Sequence, residues 1–204
     1  IVTGTDTNSC SKTDTVFITV NNLPIVDAGA DKVICLNDST MLDGSVSNGN
    51  IQISNFNWSP SSALSSNSIL TPYSSTSSNI SYVLSATDAN TCFNSDTVNV
   101  IVNSLPVVDA GADYAICIGD TTQVNASGAT SYIWNNGVFD GQGFNPTNTQ
   151  SYIVEGTDGN NCKNTDTINI TVNPLPNVGI LNTYPQICQG DSITLQGTGA
   201  TTYL

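Results

Sequence analysis

The residues that could do chemistry in this chain are six cysteines, a recurring set of aspartates, and Asp-Ser or Asp-Thr pairs. Cys10, Cys92 and Cys162 each end a Thr-Asp-x-Asn-x-Cys segment, at Thr5–Cys10, Thr87–Cys92 and Thr157–Cys162. Cys35, Cys117 and Cys188 each follow an isoleucine and lead into Asn37-Asp38-Ser39, Gly119-Asp120-Thr121 and Gly190-Asp191-Ser192. No Cys-x-x-Cys occurs, so the thiols do not read as a structural zinc site. Histidine is absent. That removes the usual general base, the imidazole metal ligand and every Ser/His or Cys/His nucleophile. Paired carboxylates could serve a glycosidase. Here the aspartates recur copy by copy instead of forming one unique pair, and Glu155 is the sole glutamate. The chain is expected not to be an enzyme.

These residues sit in a repeat, and the repeat dictates the architecture. Each Cys of the first kind leads into an alternating run: Asp14–Val20, Asp96–Val102 and Asp166–Val172. Leu23-Pro24, Leu105-Pro106 and Leu175-Pro176 follow, and then the Ile-Cys block. The period is 82 residues from Cys10 to Cys92 and 70 from Cys92 to Cys162. Val98, Val100 and Val102 alternate with polar residues, as do Ile168, Ile170 and Val172, the pattern of a strand with one buried face. Tyr82–Ala86 and Tyr152–Gly156 read as the preceding strand, with Asp-Ala-Asn and Asp-Gly-Asn as turns. Trp58 and Trp134 fall where a central strand would carry its large core residue. About seven short strands per period describe an immunoglobulin-like β-sandwich. The expected division is 1–22, the last strands of a preceding repeat; 23–104 and 105–174, complete repeats; and 175–204, the first strands of a following one. The length differences between the two complete copies fall on either side of the Trp strand, where loops tolerate insertion. Both ends interrupt a strand, so a window on a longer polymer is expected.

Lys12, Lys32 and Lys163 face sixteen acidic residues, for a net charge of −13. Nucleic-acid binding depends on Lys and Arg neutralising phosphates, and anionic membrane surfaces on the same side chains. Neither partner suits this chain. No apolar run is long enough to span a membrane as a helix.

The pattern Tyr-x-Val-x-x-Thr-Asp-x-Asn-x-Cys, then Leu-Pro-x-Val-Asp-Ala-Gly-Ala-Asp and Ile-Cys-x-Gly-Asp, resembles the polycystic-kidney-disease-like (PKD-like) and immunoglobulin-like repeats of very large Bacteroidota surface proteins. These include gliding-motility adhesins of the SprB type and other type IX secretion cargo. Asp27–Asp31 and Asp109–Asp113 carry the likeness most strongly, whereas the third copy departs over Asn177–Asn182. The resemblance implies a tandem, elongated array of modules at the cell surface or outside the cell. It would act as a non-catalytic structural and adhesive stalk, with neighbouring repeats and surface polysaccharide or other surface proteins as partners. Two rival readings are a carbohydrate- or partner-binding module, using long loops around Trp58 and Tyr73, and an accessory stalk of a secreted hydrolase.

In a secreted setting two cysteines per period imply disulfides. Within-module pairing, Cys35–Cys92 and Cys117–Cys162, is the expected arrangement, because isolated domains normally close their own bonds. It would leave Cys10 and Cys188 to partners outside the window. Pairing across the linker (Cys10–Cys35, Cys92–Cys117, Cys162–Cys188) must span a full strand and fits worst. A third pairing, Cys35–Cys162 between neighbouring modules, is favoured if the first turn and the last hairpin lie at opposite poles.

Asp27, Asp31, Asp88 and Asn90, with Asp109, Asp113, Asp158 and Asn160 in the next copy, could form oxygen-only clusters that suit Ca2+. The weightier reading makes them turn-capping residues. Thr15, Ser39, Thr97, Thr121, Thr167 and Ser192 each follow an aspartate. By the resemblance they are O-glycosylation acceptors; by spacing alone they simply begin strands.

Overall fold

In the computed structural model, which describes residues 1–47, 52–181 and 186–203, the alternating runs become strands and no described residue is helical. The chain folds as two compact units, Ile1–Ser104 and Leu105–Leu204.

The first unit begins with a hairpin of β1 (Val2–Thr5) and β2 (Ser11–Asp14). The strand expected over Asp14–Val20 stops at Asp14, and Phe17 and Ile18 are exposed. The corresponding runs of the complete copies lie between two other strands over a core, and residues 1–22 contain neither. There follow β3 (Ile25–Asp27), β4 (Lys32–Cys35), β5 (Thr40–Met41), β6 (Ser45–Ser47), β7 (Ile53–Ser59), β8 (Tyr73–Ser74), β9 (Ile80–Asp88) and β10 (Phe93–Asn103). One layer is the sheet β4-β10-β9-β7, with β4 parallel to β10 and the other pairs antiparallel. The short pairs β3-β6 and β5-β8 form the other layer. The insertion before Trp58 includes residues 48–51, which lie outside those described.

Burial follows the period of two. Tyr82, Leu84 and Ala86 of β9 and Val98 and Val100 of β10 point inward, joined by Ala28, Ile34, Leu42 and Trp58. Each such side chain withdrawn from water contributes roughly 1.5–3 kcal/mol. Trp58 is 1% exposed, although its strand β7 is the last in the sheet order and not central. Position within the sheet and direction of the side chain are separate matters, and the indole faces the other layer.

The second unit repeats this scheme with β11 (Tyr114–Cys117), β12 (Thr122–Gln123), β13 (Ser131–Trp134), β14 (Gly143–Phe144), β15 (Gln150–Thr157) and β16 (Lys163–Asn173). Its main sheet is β11-β16-β15-β13, again with the first pair parallel. An isolated bridge between Asp109 and Ser127 stands where the first unit has β3-β6. Val108, Ala110, Val124, Trp134, Tyr152, Val154, Ile168 and Ile170 make its core. Among the described residues that follow, β17 (Gly179–Ile180) and β18 (Gly197–Thr198) pair with each other. Asn182, part of the divergent third copy, and Leu204 lie outside the described residues.

Candidate functional site: the cysteine-bearing turns and the aspartate motifs

The segment Asp27-Ala28-Gly29-Ala30-Asp31 carries the chain from the β3-β6 layer to the β4-β10 layer. Gly29, at φ 83°, makes the change of direction, a backbone region that a Cβ disfavours. Asp27 Oδ1 accepts from the Gly29 amide at 2.8 Å, and Asp96 Oδ2 from the Ala28 amide at 2.9 Å. Asp31 Oδ1 accepts from the backbone amide of Asn99 at 2.8 Å, and its carboxylate also meets the Asn99 amide group. Asp109, Asp113, Asp166 and Asn169 reproduce this in the second unit.

Asp88 and Asp158 do a different job. Asp88 Oδ1 accepts from the amides of Asn90 at 2.8 Å and Cys92 at 2.9 Å. The Thr91 amide donates to the Asp88 carbonyl, and Thr91 sits at φ 63°. This is a type I turn closed by a left-handed residue, a common hairpin loop. Asp158, Asn160, Asn161 and Cys162 form the same turn, as do Asp6, Asn8, Ser9 and Cys10. The Asn90 and Asn160 backbone amides, not side-chain oxygens, are what these carboxylates engage.

The expected calcium ligands are therefore not brought together. Asp31 lies against Asn99 in the middle of β10, while Asp88 caps the turn before Phe93. At about 3.3 Å per residue these points are some 20 Å apart. Among the described residues no three Asp, Glu or Cys side chains gather closely enough to hold a metal. The two ends of the sandwich are further apart than the sequence suggests, because the strand joining them is eleven residues long.

The same length decides the cysteines. Cys35 pairs in register with Asn103, the last residue of β10, while Cys92 precedes its first residue, Phe93. The separation is roughly 35 Å, against less than about 7 Å between Cα atoms for a disulfide. Cys117 opposite Asn173 and Cys162 before Lys163 are separated alike. The within-module pairs Cys35–Cys92 and Cys117–Cys162 are thus corrected. Cys92 and Cys117, one member of each of those pairs, are free thiols, as are Cys10 and Cys188. Cys35, Cys117 and Cys188 also begin matching turns. Their carbonyls accept from the amides of Asp38, Asp120 and Asp191, with Asn37, Gly119 and Gly190 at positive φ. That is the position of a type II turn which calls for Gly or Asn.

The hydrogen bonds from Asn99 to Asp31, led by its backbone amide, hold that carboxyl below its ordinary value of 3.8. Asn169 does the same for Asp113, and the Ala110 and Thr167 amides for Asp166. A carboxyl lowered by folding adds stability that is complete above its unfolded value and is lost as pH falls through the folded one. The melting temperature of the chain is therefore expected to fall on acidification below about pH 4. Asp113→Asn should melt lower than the parent at pH 6 and converge on it near pH 2–3. Parallel curves in thermal melts across that range would remove this assignment.

The rings that a sugar-binding surface would need are not presented by the tryptophans. Trp58 and Trp134 are buried, with their indole N–H donating to Ile69 O at 3.0 Å and Asp140 Oδ1 at 2.9 Å. Tyr73 is exposed. The acceptor hydroxyl residues Thr15, Ser39, Thr97, Thr121, Thr167 and Ser192 are all exposed. A feature missed from sequence is Tyr132, whose hydroxyl both accepts from the Ala129 amide and donates to the Ala129 carbonyl at 2.8 Å. The Tyr203 hydroxyl likewise accepts from the Ala200 amide, and the shared spacing Gly-Ala-x-x-Tyr was the available signal.

No family model and no curated protein matches the chain. Solved structures do. The titin domains z1z2, in a crystal structure of their complex with telethonin, are 13% identical, covering 77% of this chain and all of that one at a TM-score of 0.35. The I-band fragment I67–I69 from titin is 11% identical, covering 77% and 68% at 0.43. The PKD domain from the KIAA 1837 protein is 26% identical, covering 44% and 93% at 0.34. The strand order found in both units, with its parallel first pair and buried tryptophan, is that of all-β, immunoglobulin-like sandwich modules.

Proposed function

We propose that residues 1–204 are a spacer segment of a cell-surface or secreted repeat protein, a stalk with structural and adhesive purpose and no catalysis of its own. The observation that carries this is the fate of the reactive groups. In both complete modules each candidate aspartate is committed to a turn or a strand crossover, and the same commitments recur in the next copy. A repeated scaffold whose polar groups serve its own turns is suited to length and rigidity, not turnover. The net charge of −13 keeps such segments apart from one another and from anionic surfaces. On this reading the direct partners are neighbouring repeats, and other surface proteins meet the array elsewhere.

Antibody raised against residues 23–174 should label intact producing cells or their medium. Labelling that appears only after lysis would refute the surface assignment. The exposed hydroxyls after Asp14, Asp38, Asp96, Asp120, Asp166 and Asp191 are proposed sugar acceptors. An intact mass of natively purified protein equal to the bare polypeptide would end that part of the reading.

A further inference from the structure

The first module carries an exposed aromatic ring that its fold does not require. Met41 of β5 stands directly opposite Tyr73 of β8, and the two are 41% and 57% exposed. At the equivalent place in the second module Gln123 faces Gly143, so the same sandwich closes there with no ring at all. The difference goes with the insertion after the Trp strand: Trp58 and Tyr82 are 24 residues apart, Trp134 and Tyr152 only 18. The longer segment adds a third run of chain to the layer of β5 and β8. In it the Ser65 amide donates to the Tyr73 carbonyl at 2.8 Å, the Tyr73 amide to Ser65 Oγ at 3.0 Å, and the Ser75 amide to the Ala63 carbonyl at 2.9 Å. On the opposite flank the Leu42 amide donates to the Pro72 carbonyl at 2.9 Å and the Gly44 amide to the Leu70 carbonyl at 3.2 Å. Tyr73 is thus pinned from both sides. Leu42, Pro72 and Ser74 point into the module, where the Ser74 and Tyr82 hydroxyls share a hydrogen bond of 3.0 Å. By alternation Met41, Asp43, Ser65, Thr71 and Tyr73 take the outward face, and all five are exposed.

We propose that this outward face of the first module is a shallow binding platform for a neutral hexose polymer, with the Tyr73 ring as its floor. A pyranose has one face of C–H groups, which packs on the electron-rich face of an aromatic ring, and a rim of hydroxyls that need polar partners. Met41, about 5 Å across the ladder, widens the apolar floor with a thioether that adapts to the contour above it. Ser65 Oγ, already the acceptor for the Tyr73 amide, keeps its O–H to donate, and the Thr71 hydroxyl both donates and accepts. The Asp43 carboxylate, diagonal to Tyr73 on the ladder, accepts from hydroxyl pairs. Charge selects the class of ligand. Asp43 is ion-paired with Lys32, which leaves these five residues no cation to offer an anionic polymer, and the net charge of −13 repels one. Size selects it too. Two apolar side chains make a floor for one sugar residue, whereas a stable protein complex needs about 800 Å² a side. A tyrosine has only two side-chain torsions to fix on binding, and here the backbone beneath it is already held. Such a site goes beyond the spacer role and is independent of where the protein resides.

The test is affinity electrophoresis of the chain 1–204 in native gels cast with laminarin, dextran or mannan, and with alginate as the anionic counterpart. Retarded migration is expected in at least one of the three neutral polymers and not in alginate. Tyr73→Ala should weaken that retardation roughly tenfold or more, the equivalent of about 1.4 kcal/mol, while the near-ultraviolet signals of Trp58 and Trp134 persist. Tyr73→Phe, which keeps the ring, should migrate like the parent. Met41→Gln, which installs the residue of the second module, should fall between the two without disturbing the fold. Phe139→Ala, at an exposed ring of the second module, should change nothing. Unretarded migration of the parent in all three neutral gels would overturn the platform, as would retardation in alginate alone. Parent-like retardation of both Tyr73→Ala and Met41→Gln would overturn its assignment to this face, and so would loss of retardation in Phe139→Ala.

Discussion

Trp58→Ala is expected to unfold the first module at a denaturant concentration far below that of the parent, while the transition reported by Trp134 stays in place. The indole is 1% exposed and packed among Leu42, Tyr82, Leu84, Val98 and Val100. Its removal combines lost transfer free energy with a cavity that the two layers cannot close, because both are fixed by ladder hydrogen bonds. Large aromatic-to-alanine changes of this kind cost about 3–5 kcal/mol. A small domain has a total stability of only about 5–15 kcal/mol, so little would remain. Loss of the indole N–H also leaves the Ile69 carbonyl without its donor, which adds to the cost. Urea titration, with fluorescence now reporting Trp134 alone and circular dichroism reporting both modules, should resolve two steps. A loss below about 1 kcal/mol, or a matching shift in the Trp134 transition, would contradict separate cores.

Gly128→Ala is the second large effect expected. Gly128 sits at φ 89°, and a Cβ there would lie 1.7 Å from the Val107 carbonyl oxygen. The obstruction is backbone, so no rotamer change relieves it. Either the Asp109–Ser127 bridge opens or the turn is rebuilt. Gly137→Ala provides the control, because its φ of 70° is similarly positive but nothing lies within 4 Å of the added carbon. The left-handed conformation alone costs an alanine about 1–2 kcal/mol. Gly137→Ala should therefore lose about that much, and Gly128→Ala at least about 3 kcal/mol, since forced overpacking adds to the strain. Equal losses in thermal melts of the two variants would show that the carbonyl contact carries no weight.

Strands were legible through periodicity and turns through residue type, both of which are local properties. Tyr82, Leu84, Val98 and Val100 could be read as core because alternation puts every second side chain on one face. The Asp-x-Asn-x-Cys segments could be read as hairpin turns because aspartate bonds its own downstream amides. What failed was placement at long range. Asp31 and Asp88 read as neighbours on the assumption that the first strand and the last hairpin meet at one pole. Register instead sets Asp31 beside Asn99, well down β10 from the turn that Asp88 caps. The run Asp14–Val20 failed for the opposite reason. Its alternation is sound, but a strand persists only where another strand and a core receive it.

Residue types at spacings of a few positions were enough to establish the repeat, the all-β character, the residues at each turn and the lack of imidazole chemistry. Three things needed the folded chain: which carboxylate meets which amide, that the Trp strand closes its sheet, and that the cysteines of one module stand a strand's length apart. They depend on the parallel pairing of β4 with β10 and of β11 with β16, between segments more than fifty residues distant, and no local pattern encodes a register.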